Sequence, residues 1–222
     1  MNISDNLHKI KETLPETVKL VAVSKFHPVE AIQKLYDNGQ RVFGESRMQE
    51  VDLKHSKLPQ DIEWHFIGHL QTNKVKAIVP YVHTIHSVDS WKLLQEIDKQ
   101  ATSVNKRICC LLEIHIAEED SKYGLSFDTC RQMLDEGLWK QLKYAYIGGV
   151  MGMATFTENV DLIRTEFRNL KLFYDELKAD YFHDFDSFSE ISMGMSDDYE
   201  IAVEEGATIV RVGSSIFGQR EY

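Results

Sequence analysis

Residues 18–26 read VKLVAVSKF, and this stretch decides the fold. Val18, Leu20, Val21, Ala22 and Val23 make a short apolar run rich in β-branched residues, the pattern of a strand buried on both faces of a parallel sheet. Lys25 stands where the run stops, and Pro28 then opens a helical pattern with apolar Val29, Ile32 and Leu35. A lysine at the carboxyl end of a strand that feeds a helix occupies the position where α/β folds place their chemistry. A solvated loop lysine is the simpler reading of this position alone.

The same alternation recurs along the chain. Strands are predicted over residues 41–45, 62–69, 83–88, 107–116, 144–153, 190–195 and 208–213, with helices over 46–58, 70–81, 89–97, 127–138, 160–177 and 197–205. Asp89 is the expected cap of the third of these helices. The helix from Val160 is the clearest, with Ile163, Phe167, Leu170, Tyr174 and Leu177 recurring on one face. Eight strand-then-helix units in 222 residues point to an α/β fold, a single-domain (β/α)8 TIM barrel over residues 1–222. GxGxxG is absent from the first turn, so an open dinucleotide-binding sheet is not indicated.

Composition narrows the class of partner. At 43% hydrophobic and 27% charged residues the chain reads as an ordinary globule, and its formal net charge of −10 opposes a nucleic-acid surface. The apolar runs are too short to span a bilayer and the polar first residues have no signal-peptide core, so the expected location is cytoplasmic, with no membrane partner. Cys109, Cys110 and Cys130 lack the spacing of a zinc site or disulfide framework and are expected to be small buried hydrophobes. His65 and His69, four residues apart at roughly 3.3 Å per residue on a strand, are too distant to share an ion, and no metal site is expected. Ser87 and Asp89 lie near histidines, but no GxSxG elbow supports a hydrolase.

In a parallel barrel the carboxyl ends of the strands share one mouth. Lys25, Glu45, Ser46, His69, Ser87, Met151, Ser192 and Ser214 are expected there. The stretches SMGMS (192–196) and RVGSS (211–215) put glycines and serines after strands seven and eight, where such barrels bind phosphate through backbone N–H groups. A lysine amine condenses with aldehydes, so a lysine facing an anion cradle suits a phosphorylated carbonyl compound. Pyridoxal phosphate carries both groups and further needs a partner for its ring nitrogen.

These residues carry a resemblance. AVSKFHP (22–28), FGESRMQE (43–50), WHFIGHLQTNK (64–74), HSVD (86–89), SMGMSDD (192–198) and VRVGSSIFG (210–218) resemble the YggS/PROSC family of pyridoxal-phosphate homeostasis proteins. That family shares the barrel of the alanine racemase N-terminal domain. The resemblance implies that Lys25 holds pyridoxal 5′-phosphate as a Schiff base, that Ser192, Met193, Gly213 and Ser214 cradle its phosphate, and that Arg211 faces its pyridine nitrogen. Ser46 stands where the family usually has Asn, and Glu113-Ile114-His115 where it has Gln-Val-Asn, which bears on ring contacts rather than on the lysine or the cradle. Lys74 is either a solvated helix lysine or a second phosphate-handling cation.

The implied function is intracellular pyridoxal-phosphate homeostasis and supply by a monomer with little or no turnover, with pyridoxal-phosphate-dependent apoenzymes as candidate recipients. The alternative is a racemase-like enzyme. A racemase needs acid/base groups on both faces of the cofactor. Alanine racemase takes one of them from a second domain, and a cation beside the ring nitrogen weakens the electron sink.

Overall fold

A computed structural model describes residues 2–119 and 123–218. Eight parallel strands close into a barrel: β1 (Lys19–Val23), β2 (Val42–Glu45), β3 (Glu63–Phe66), β4 (Thr84–Val88), β5 (Ile108–Ile114), β6 (Ala145–Gly152), β7 (Glu190–Ser192) and β8 (Ile209–Val212). They are hydrogen-bonded in sequence order, and β1 pairs with β8 to shut the ring. The single-domain (β/α)8 barrel expected from the alternation is therefore the architecture.

The helices follow from where apolar residues recur. α2 (Val29–Asp37), α5 (Trp91–Ser103), α6 (Phe127–Asp135), α7 (Val160–Asp180) and α8 (Tyr199–Glu204) pack outside the barrel. Their inner faces bury Ile32 and Leu35, then Leu94 and Ile97, then Phe167, Leu170, Phe173 and Leu177, against strand residues such as Phe43 and Trp64. Each large apolar side chain so buried stabilises the fold by about 2–3 kcal/mol. α3 (Met48–His55) and α4 (Val75–Ile78, after a 3-10 turn over Thr72–Lys74) are shorter than their patterns suggest. Ser90 rather than Asp89 caps α5, its hydroxyl accepting from the Leu93 N–H.

Two helices escape the strand-then-helix pattern. α1 (Ile3–Thr13) precedes the barrel and buries Leu7 and Ile10, with Ile3 partly buried against the same core. α9 (Ser214–Phe217) is a single turn after β8, and Asn6 of α1 donates to the Ile216 carbonyl at 2.9 Å. α1 therefore packs against the last turn of the barrel.

Inside the ring, Val21, Leu111, Met151 and Ile209 form a small apolar plug. Met151 belongs to this plug rather than to the mouth. Gly149 allows β6 to approach β7 closely, because its φ of +153° is one that side-chain-bearing residues rarely adopt and an added Cβ would lie 1.8 Å from the Glu190 carbonyl oxygen. Cys110 and Cys130 are buried, Cys109 is half-buried, and all three are free thiols. No helix among the described residues is long and apolar enough to cross a membrane.

Gly149→Ala is expected to lose about 3 kcal/mol or more of stability, through combined backbone strain and overpacking. Urea denaturation followed by circular dichroism would show it, and an unchanged midpoint would contradict this account of the β6–β7 contact.

Candidate cofactor site

The end of β1 sets the first part of the site. Lys25 follows buried Ser24 and precedes Phe26, whose φ of +69° is unusual for a residue with a side chain. Something must hold that conformation, and a buried polar network does. Lys54 of α3 donates to the Ser24 carbonyl at 2.9 Å, to Glu45 Oε1 at 2.7 Å and to Glu50 Oε2 at 2.7 Å. Glu45 also accepts from the Ser24 hydroxyl at 2.5 Å, and Glu50 accepts from the Phe26 N–H at 2.7 Å. Residues 24–26 are thus fastened to β2 and α3 on both sides of Lys25.

These charges titrate unequally. Burial pushes the Glu45 carboxyl up to about 7 even against the pull of Lys54. Glu50 also feels burial, but its hydrogen bonds to Lys54 and the Phe26 N–H outweigh it, so its pKa falls below the usual value. The His27 ring stacks on Phe217 of α9, with centroids 4.3 Å apart, and so ties the Lys25 loop to the last turn of the barrel.

Lys25 lines a cleft of about 480 Å³ together with Arg211, Gly213 and Ser214 from the β8 end and Met195 and Ser196 from the β7–α8 loop. That volume lies within the usual range for small-molecule sites. Apolar walls come from Val23, Ile67, Met153 and Phe156, and Asp197 also borders the cleft. The N–H groups of Gly213 and Ser215 both point at one oxygen, Ser196 Oγ, at 3.1 and 3.4 Å. Two backbone donors converging on one acceptor is the arrangement a phosphate oxygen requires.

Arg211 is buried with its guanidinium fixed. Nη1 donates to the Ser192 carbonyl at 2.9 Å and to Ser192 Oγ at 2.5 Å, and Nη2 donates to the Gly152 carbonyl at 3.1 Å. Burial lowers its pKa to about 10, partly offset by Asp198 and Glu113, so it remains a cation at neutral pH.

The expected site residues divide. Lys25, Arg211, Gly213 and Ser214 share the cleft. Ser192 does not line it, because its hydroxyl is held between Arg211 and His86. Met193 is buried and its N–H donates to the Ile209 carbonyl, so that amide is taken by the sheet. Ser46 lines an adjacent, smaller pocket with Arg47, His69 and Lys74. Of the other residues expected at the mouth, Glu45 is buried beneath the Lys25 loop, Ser87 donates to the Gly68 carbonyl, and His69 stacks on Tyr123.

Ser196 lies inside the quoted SMGMS run yet was not singled out. Glu50 and Lys54 lie in the helix predicted after the second strand and were likewise not among the expected site residues. Their spacing of four, with acid before base on one helix face, was the available signal.

Comparison with known proteins shows the family. Residues 1–221 match the family model for the alanine racemase N-terminal domain. The chain is 37% identical over 233 residues to the pyridoxal phosphate homeostasis protein of Aquifex aeolicus strain VF5, with both chains covered in full. The chain belongs to this family of pyridoxal phosphate homeostasis proteins. A second member, PipY of Synechococcus elongatus PCC7942, has been solved without and with pyridoxal phosphate. The two forms superpose on this chain with TM-scores of 0.91 and 0.88 at 36% and 35% identity, each covering 98% of it and all of PipY.

Glu113 has a measurable consequence. It is 4% exposed and its Oε2 has no hydrogen-bond partner among the described residues. Burial raises its pKa to about 7, Asp89 adds to the rise and Arg211 opposes it. The folded state therefore binds more protons than the unfolded state between about pH 4.5 and 7, so this group's contribution to stability declines as pH rises through that window. Glu113→Gln is expected to match the parent near pH 4.5 and to exceed it by up to about 3 kcal/mol at pH 8. Denaturant titrations at the two pH values measure the difference, and a variant no more stable at pH 8 would contradict the buried-carboxyl account.

Proposed function

We propose that this protein binds pyridoxal 5′-phosphate through Lys25, with the phosphate at Gly213 and Ser214 and the ring nitrogen toward Arg211, and that it serves pyridoxal-phosphate homeostasis rather than turnover. One observation carries the reading: a lysine at the end of β1 and Gly213 and Ser214 at the end of β8 line one cleft of suitable size.

The bound cofactor supplies an aldehyde with which a neutral lysine amine condenses. The chain's own residues do the rest. The Glu45–Lys54–Glu50 network holds the Lys25 backbone, Val23, Ile67 and Met153 give the cleft its apolar wall, and Gly213 and Ser214 bring backbone close to the anion. Arg211 presents a cation where the ring nitrogen would lie, which disfavours a proton there and weakens the ring as an electron sink. That electrostatic choice supports holding the cofactor over carbanion chemistry. The names of the relatives support the same reading. Pyridoxal-phosphate-dependent apoenzymes, a cytoplasmic setting and a monomeric state belong to the proposal as well.

The purified protein is expected to take up pyridoxal phosphate with a new visible absorption band that borohydride abolishes, and peptide mapping is expected to find the reduced adduct on Lys25. Lys25→Ala is expected to show neither. A colourless protein after addition of the cofactor, or an adduct on another lysine, would contradict the assignment.

Incubation with single alanine enantiomers is expected to give no interconversion at an ordinary enzymatic rate. Turnover that disappears in Lys25→Ala would favour the racemase-like alternative.

A further inference from the structure

Arg211 brings a charge into the barrel, and the hydrogen bonds behind it run to the opposite end of the molecule. Ser192 Oγ, which accepts from Arg211, lies 2.9 Å from His86 Nδ1. His86 Nε2 lies 2.8 Å from His65 Nδ1, and His65 Nε2 lies 2.8 Å from Glu63 Oε1. Both histidines are fully buried, whereas the Glu63 carboxylate is about one-third exposed. Glu63 opens into a second cleft, of about 440 Å³, at the amino-terminal end of the strands, beside Lys19 and Glu190. The chain of contacts therefore crosses the barrel from β3 and β4 to β7 and β8.

Its direction follows from donor and acceptor chemistry. The Glu63 carboxylate only accepts, so His65 must carry its proton on Nε2. Burial lowers the pKa of both imidazoles, which keeps them neutral and leaves one bare nitrogen on each. His65 Nδ1 is then bare and accepts from His86 Nε2–H. His86 Nδ1 is bare in turn and accepts from the Ser192 hydroxyl, whose oxygen accepts from Arg211. Every link points the same way, from a group that can only donate to a group that can only accept. The reverse tautomer of His65 would set a lone pair against the carboxylate.

We infer that Glu63, His65, His86 and Ser192 are positioning residues that form a one-way hydrogen-bond relay fixing the Arg211 guanidinium at the cleft. The cation that would face the cofactor ring is thereby set from the far end of the barrel. The relay is a polarising lock and not a proton wire, since a guanidinium does not release its proton. Hydrogen bonds aligned in series polarise one another, which lets a solvated carboxylate act on a buried cation across the barrel. The coupling to the ring rests on the function proposed above, and the relay itself does not.

Two measurements separate these parts. In the protein without added cofactor, ¹⁵N NMR of the histidine rings at pH 7.5 is expected to give the neutral Nε2–H form for both His65 and His86. An Nδ1–H form or an imidazolium at either position would overturn the relay. With pyridoxal phosphate added, Ser192→Ala is expected to weaken binding by about tenfold, the effect of one hydrogen bond. Glu63→Gln is expected to weaken it by a smaller factor, and both variants are expected to displace the visible band while leaving the borohydride adduct on Lys25. Wild-type band position and affinity in both variants would overturn the coupling. Failure of the parent protein to take up pyridoxal phosphate would overturn the proposed cofactor and the coupling with it, and the ring tautomers would still decide the relay.

Discussion

The pairing of the first strand with the last is the constraint on which the site depends. Lys19, Leu20, Val21 and Ala22 of β1 lie in register with Ile209, Val210, Arg211 and Val212 of β8. Without that closure Lys25 and Ser214 would be separated by most of the chain. With it, they border one cleft, and the His27–Phe217 stack and the α1–α9 contact add side-chain ties at the same seam. Parallel strands need long crossovers before they can pair, so this contact is non-local and slow to form, and it is also what assembles the functional mouth.

The interior of the barrel is more polar than a stability argument alone would choose. Only a thin apolar plug fills it, and around that plug sit the buried carboxyl of Glu113, a buried arginine and two buried histidines. Glu45 and Glu113 each keep one oxygen without a partner among the described residues. Unpaired buried oxygens are costly, by about 1–3 kcal/mol each. The paired ones have an evident use: the Glu45–Lys54–Glu50 network holds a left-handed phenylalanine beside the lysine, and the histidine pair supports the arginine. Stability is set against a preorganised site, and the outer shell of apolar helices supplies the difference.

Much of the fold was legible because it depended on local pattern. Continuous apolar runs marked the strands, and Lys25 could be placed at a strand end because the run stops at Val23, two residues before it. Gly213 and Ser214 were readable for the same reason. The β7 side of the cleft was not, because β7 ends at Ser192 and Gly194, at φ +91°, redirects the chain so that Ser196 borders the cleft and Met193 does not. Such a turn is a backbone event that residue types suggest without locating. The histidine pair was unreadable for a different reason. His65 and His69 are close in sequence but too far apart on a strand to share an ion, whereas His65 meets His86 from the neighbouring strand, and His86 in turn meets Ser192 from across the ring. α1 is hard to read because its apolar residues, Ile3, Leu7 and Ile10, are set among polar and charged ones.

The central claim is spatial, and a crystal structure of the protein grown with pyridoxal phosphate tests it most directly. Density is expected to run unbroken from Lys25 Nζ into the cofactor, with the phosphate against Gly213 and Ser214 and the ring nitrogen facing Arg211. Cofactor density lodged elsewhere, or a phosphate turned away from the end of β8, would contradict the account.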